Sequence, residues 1–163
     1  MKILITGSNG LLGQKLIAES NNYKNLEILA TSRNDSFIQN DNIRFIRMDI
    51  TDFERVDKVV TDFKPDAVIH AAALSQVDYC ELNRKESTRV NYEASVHLAH
   101  RSDRIGAHFV FLSSDFIFSG ERGHYDENDI PLPGCEYGHQ KFNVEKFLIS
   151  YIRDYAIVRT SLV

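Results

Sequence analysis

The amino-acid sequence predicts an α/β domain built on a doubly wound parallel sheet. Three observations predict it. Short apolar runs alternate with longer amphipathic stretches along all 163 residues. The runs are apolar at nearly every position rather than every second one, as strands buried on both faces are. Consecutive runs are separated by helix-length stretches, the crossovers that parallel neighbours require.

Each element follows in order. Lys2 to Thr6 reads as a buried strand, and Leu11 to Ser20 as a helix with Leu12, Leu16 and Ile17 on one face. Glu27 to Thr31 and Ile43 to Met48 are the second and third strands. Asp52 to Phe63 is a helix whose apolar face is Phe53, Val56, Val59, Val60 and Phe63, and Pro65 stops it because proline cannot continue a helix. Ala67 to Ala72 is the fourth strand, Glu86 to Arg101 a long helix, and His108 to Leu112 the fifth strand. Tyr137 to Tyr151 is a helix and Ala156 to Arg159 the sixth strand. The expected strand order is 3-2-1-4-5-6, with ligands at the carboxyl edge. Residues 1–163 read as one domain. The run Val158 to Val163 reads as a strand entering an active-site loop, so the domain is expected to be cut short after its sixth strand.

Composition excludes several classes. Hydrophobic residues at 43% and charged residues at 26% are those of a soluble globular chain. The net charge of −4, from 19 basic and 23 acidic residues, offers no basic stripe for nucleic acid. No apolar run approaches the roughly 18 residues of a membrane span. Ile3-Leu4-Ile5 is too short for a signal peptide, which implies a cytoplasmic protein. Cys80 and Cys135 form no CxxC pair and read as reduced packing residues. His97 and His100 lack a third ligand at suitable spacing, so no metal site is expected.

The first turn carries the strongest functional signal. Gly7, Gly10 and Gly13 lie between the first strand and the first helix, in Gly7-Ser8-Asn9-Gly10-Leu11-Leu12-Gly13. A tight strand-to-helix turn needs a residue without Cβ, a diphosphate must come close to backbone N–H groups, and the helix N-terminus attracts an anion. The last glycine is expected to let the helix pack close to the sheet. In this context the turn marks a Rossmann-type domain that binds NAD(P) through Gly7, Asn9, Gly10, Leu11, Leu12 and Gly13. Ser32 and Arg33 end the second strand. An arginine there suits a 2′-phosphate and favours NADP, while Asp35 keeps NAD open. Asp49 and Ile50 follow the third strand. Ala71, Ala72 and Ala73 follow the fourth, small enough for a cofactor to lie across the edge.

Tyr137 and Lys141 stand four apart on a helix, hence on one face. Ser113 and Ser114 end the strand before it. Reduction of a carbonyl creates an alkoxide that needs a proton, which a tyrosine can donate. A lysine cation beside it is expected to lower the tyrosine pKa from its usual value near 10. A serine can hold the carbonyl oxygen.

On these residues the chain resembles the extended short-chain dehydrogenase/reductase family, and within it the dTDP-4-dehydrorhamnose reductase branch. Further matches are Met48 to Asp52, His70 to Ala73, Val90-Asn91, Leu112 to Gly120, Tyr125 to Glu127 and Tyr137 to Lys141. The resemblance implies NADPH-dependent reduction of a 4-keto nucleotide sugar, with Ser114, Tyr137 and Lys141 catalytic and Lys141 also on the nicotinamide ribose. It implies that Asn91 supports the cofactor region, that Glu127 lies near substrate, and that a homodimer is open. Ser114 departs from the branch's usual Thr. The branch's C-terminal sugar-nucleotide domain has no counterpart in this sequence. Two alternatives stay open: an NAD-dependent nucleotide-sugar epimerase or dehydratase, and a non-catalytic cofactor-binding regulator like the β subunit of methionine adenosyltransferase.

Overall fold

The structure is a computed structural model that describes residues 1–36 and 43–161. The expected terminal run through Leu162 and Val163 lies in part outside the described residues. Six parallel strands form one sheet in the order β3-β2-β1-β4-β5-β6. They are β1 (Lys2–Thr6), β2 (Glu27–Ser32), β3 (Arg44–Arg47), β4 (Ala67–His70), β5 (His108–Ser114) and β6 (Tyr155–Thr160). The order reverses direction at β1 and β4, which pair through Thr6 and His70 at their carboxyl ends. This is the switch point where open α/β sheets bind ligands.

The helices are α1 (Leu11–Ser20), α2 (Phe53–Phe63), α3 (Val77–Leu82), α4 (Arg84–Thr88), α5 (Ala94–Arg104) and α6 (Glu136–Tyr151). The Asp52 carboxylate caps α2 by accepting from Arg55 N, and Lys64 ends it in the left-handed conformation at φ 51°, just before Pro65. The long helix expected from Glu86 is broken. It begins earlier as α3 and α4, passes through a π-helical turn at Arg89–Glu93, and continues as α5. The π turn carries the fully buried Asn91, an irregularity with no periodicity signature.

Strand alternation sorts side chains onto two unequal cores. Leu4, Leu29, Val68, Phe109 and Phe111 pack under α2, α5 and α6 with Val56, Val60, Leu98, Val144 and Leu148. Ile3, Ile5, Ile28 and Ala30 pack against Ile17 of α1 on the other face. On that second face Val110 and Leu112 are only half-buried and Val158 is exposed, so the double burial expected of all strands holds around β1 and β2 but not across β5 and β6. Among the described residues no helix is long and apolar enough to cross a membrane.

Candidate active site

The glycine turn is held together by contacts no side chain could share. Gly7 has φ +71°, and a Cβ there would meet Ala72 N at 2.6 Å and Ala71 C at 2.7 Å. Gly7 therefore lets the turn lie directly on the segment leaving β4. At Gly13 a Cβ would meet Gly7 O at 2.3 Å and Ser8 Cα at 2.7 Å. The third glycine thus seats the helix directly on its own turn, and Ile17 one turn further on packs against the sheet. Gly10 differs: only Gly7 O comes near, at 3.2 Å, and Gly10 lines the neighbouring cleft. Gly10 is also the N-cap of α1, with no side-chain cap and no acidic residue in the first turn. By contrast α2 opens with Asp52 and Glu54, and α6 with Glu136. The positive end of α1 is left for an anion from outside. Beside it the Ser8 hydroxyl is fully buried without a partner among the described residues. Both features fit a diphosphate group.

The cleft has a volume of about 320 Å³. Gly7, Asn9 and Gly10 form one wall, Ser32 and Arg33 another, and Ile50 with Ala71, Ala72 and Ala73 the floor. Asn34, Met48, Leu74 and Val90 also line it, four positions that sequence reasoning missed. Asn34 follows Arg33 directly; the apolar three carried no polar signal. Other expected positions lie off the lining. Leu11 and Leu12 are exposed on α1. Asp49 accepts from Thr51 N and Thr51 Oγ1, both at 2.8 Å, closing the turn that presents Ile50. Asn9 Nδ2 donates to the Asp35 carbonyl at 2.8 Å, which ties the chain after β2 across the glycine turn.

Asn91 is fully buried and occupied internally. Its Nδ2 donates to Leu74 O at 2.9 Å and to Gln140 Oε1 at 2.8 Å, while its Oδ1 accepts from Leu74 N at 2.8 Å. It acts on the cleft by fixing Leu74, which lines it. Gln140 Nε2 continues the network to Ser87 Oγ at 2.8 Å. A second buried chain begins at β1. Thr6 Oγ1 donates to His70 Nδ1 at 2.7 Å, and His70 Nε2 donates to Ser95 Oγ at 2.9 Å, which donates to Asn91 O at 2.8 Å. Ser95 spends its one proton on Asn91 O, so the Nε2–H tautomer of His70 follows. Burial first, and then the charge of Lys141, pull His70 down from 6.5 to about 3.

Tyr137 and Lys141 face the end of β5 as the spacing predicts, and both are buried. Their approach depends on Gly138, where a Cβ would sit 2.1 Å from Phe116 O. That contact presses the first turn of α6 onto the 3₁₀ turn Asp115–Ile117, beside Ser114. Lys141 Nζ donates to Leu112 O at 2.8 Å and lies over the rings of Phe111 and Tyr137, 4.7 and 5.6 Å from their centroids. Ser114 Oγ donates to Asp115 Oδ1 at 3.1 Å and accepts from Phe116 N at 3.2 Å. The expected lowering of the tyrosine is not found. Burial pushes Tyr137 up to about 12, Cys80 adds to the rise, and the neighbouring Ser114 hydroxyl only partly opposes it. Burial also pulls Lys141 down to about 8, against the charge of Glu145. Tyr137 therefore holds its proton at neutral pH.

A second cleft of about 530 Å³ opens beyond Ser114, between the loop after β5 and the end of β6. Asp115, Tyr125, Glu127 and Arg159 are among its lining residues. Among the described residues no cluster of three or more His, Cys, Asp or Glu stands where it could hold a metal ion. His97 instead meets Asp57 at 2.8 Å and stacks on Phe53.

The reversal of the sheet, a glycine cradle at that reversal and a Tyr-x-x-x-Lys helix facing a β5 serine define an extended short-chain dehydrogenase/reductase fold. The chain belongs to the RmlD substrate binding domain family, whose model matches residues 1–163. It is 33% identical over 98% of its length to dTDP-4-dehydrorhamnose reductase of Aggregatibacter actinomycetemcomitans, covering 51% of that protein. It is 30% identical over 97% of its length to methionine adenosyltransferase 2 subunit beta of Rattus norvegicus, covering 46%. The crystal structure of dTDP-4-dehydrorhamnose reductase from Bacillus anthracis in complex with NADP superposes with a TM-score of 0.79 at 31% identity, over 98% of this chain and 53% of that one. The chain spans about half the length of the curated relatives it matches.

Proposed function

We propose that this chain forms the cofactor half of an NADP-dependent reductase acting on a 4-keto nucleotide sugar, of the dTDP-4-dehydrorhamnose type. The observation that carries the reading is the single carboxyl edge shared by the uncapped α1 cradle, Arg33 and the Ser114–Tyr137–Lys141 group. Gly7, Gly10 and the first amides of α1 would hold the diphosphate, with Ala71 to Ala73 beneath it. Arg33 would pair with a 2′-phosphate, since it lines the cleft where the second strand ends. When bound, the nicotinamide nucleotide supplies a hydride to the substrate carbonyl carbon.

The chain's own residues would do the rest. Tyr137 keeps its proton until negative charge grows on the carbonyl oxygen, and then donates it. Ser114 would turn its hydroxyl from Asp115 to that same oxygen. Lys141, charged at neutral pH, would stabilise the tyrosinate left behind. The expected result is NADPH binding tighter than NADH by calorimetry. In the protein at its full natural length, nicotinamide absorbance should fall when a dTDP-4-keto sugar is added, and Tyr137→Phe should abolish that fall. Tight nucleotide binding with no turnover of any 4-keto nucleotide sugar would overturn the reductase reading.

A regulatory reading, in which the domain binds nucleotide without catalysis, draws support from one feature. Tyr137 is 8% exposed and poorly acidic in this structure. On that reading Tyr137→Phe would change neither nucleotide affinity nor any partner's activity.

A further inference from the structure

The α6 helix buries more charge than the proposed reaction uses. Tyr137, Lys141 and Glu145 follow at four-residue intervals and share one face, and Glu145 is fully excluded from solvent. A carboxylate in that position is costly unless it is paired and hydrogen-bonded. Arg159 of β6 does both, with Nε 3.1 Å from one carboxylate oxygen and Nη2 2.8 Å from the other. Arg159 is itself held from the second cleft, where Nη1 donates to Glu127 O at 3.4 Å and the guanidinium lies 5.5 Å from the Phe118 ring centroid.

Side chains on a helix lean toward its N-terminus, so Glu145 covers the turn that carries Lys141. The groups around the Lys141 ammonium can be named element by element. On α6 they are Tyr137 and Glu145; on β4, His70; on α3, Cys80; and β5 offers Leu112 O and the Phe111 ring. His70 is neutral, and Tyr137 keeps its proton. Among these described residues Glu145 is the one formal carboxylate charge facing Lys141.

We propose that Glu145, clamped by Arg159, is a positioning residue for Lys141: its carboxylate supplies the field that keeps the ammonium seated on Leu112 O beside Tyr137. Its meaning for catalysis rests on the reductase reading, but the electrostatic link exists in the chain alone. Burial weakens the hold of Lys141 on its proton, and Glu145 is the first influence against it.

The test is a pH titration of the Lys141 side chain by heteronuclear NMR, on the full chain without nucleotide. Glu145→Gln should make Lys141 about tenfold more acidic or more, leaving it no more than about half charged at neutral pH. Glu145→Asp, which keeps the charge, should restore most of the difference. Glu145→Gln leaves Arg159 unpaired. The double variant Glu145→Leu with Arg159→Met removes both charges together and keeps the test open if the single variant fails to fold. An unchanged Lys141 titration in either folded variant overturns the proposal. Absence of turnover by the unaltered protein would count against the reductase reading alone, because the titration needs no catalysis.

Discussion

His70 makes the stability of this domain depend on pH, and the part of that dependence between pH 8 and pH 5 lies above the ordinary carboxylate range. The imidazole is 1% exposed and held neutral between Thr6 and Ser95. In the unfolded chain it titrates at 6.5; in the fold burial, and then Lys141, bring it to about 3. Between those values the unfolded state binds more protons than the native state, so stability rises with pH. The contribution is complete above pH 6.5 and is lost as pH falls toward 3. At about 1.4 kcal/mol per tenfold change, the loss reaches roughly 2 kcal/mol at pH 5 and roughly 5 kcal/mol at full protonation. Urea unfolding followed by circular dichroism reads this directly; the chain has no tryptophan to report by fluorescence. The control is His70→Asn, which cannot titrate. Its absolute stability will be lower because hydrogen bonds are lost, but its pH slope should be flatter. The wild-type curve should fall by roughly 2 kcal/mol relative to the variant between pH 8 and pH 5. Parallel curves, or an NMR titration of His70 near 6.5 in the folded protein, would refute the reasoning.

Other consequences can be checked with the same methods. Gly7→Ala should lower Tm sharply, because its Cβ would collide with the Ala71–Ala72 backbone at positive φ; Gly10→Ala, at φ −71° with one tight contact to Gly7 O, should lower Tm far less while abolishing nucleotide binding. Gly138→Ala should cost about 2–3 kcal/mol in urea unfolding, as an overpacked contact with Phe116 O does. Arg33→Ser should weaken NADPH about tenfold or more while leaving NADH unaffected in calorimetric titration, the size expected for one charge-assisted contact.

The sheet was legible because strands buried on both faces write continuous apolar runs, and runs such as Ile3 to Ile5 and Val68 to Ile69 cannot be mistaken for amphipathic helices. Element ends were less so. The fourth strand stops at His70 rather than Ala72, and the backbone that follows lies against Gly7 and lines the cleft. The fifth extends to Ser114 because β6 pairs with it that far, through Ser114 and Thr160. Neither pairing partner can be read locally. The break in the long helix is of the same kind. Nothing in Arg89 to Glu93 forbids an α-helix; the π turn goes with a buried amide network whose members lie 17 and 49 residues from Asn91.

The site divides along the same physical line. Residues whose task is backbone geometry, the glycines and alanines at the sheet edge, were visible, since only small side chains permit close approach. Residues whose task is electrostatic were visible as types but not as states. The Tyr137–Lys141 spacing gave the shared face, yet it could not show that Lys141 would direct its ammonium to Leu112 O over the tyrosine ring, and that burial would then set both groups. A buried lysine near 8 and a buried tyrosine near 12 form a pair in which the lysine loses its proton first as pH rises. Any activity of this constellation that needs the cation should therefore decline above about pH 8. A pH profile that instead stayed flat to pH 10 would mean that the lysine charge is not what the site uses.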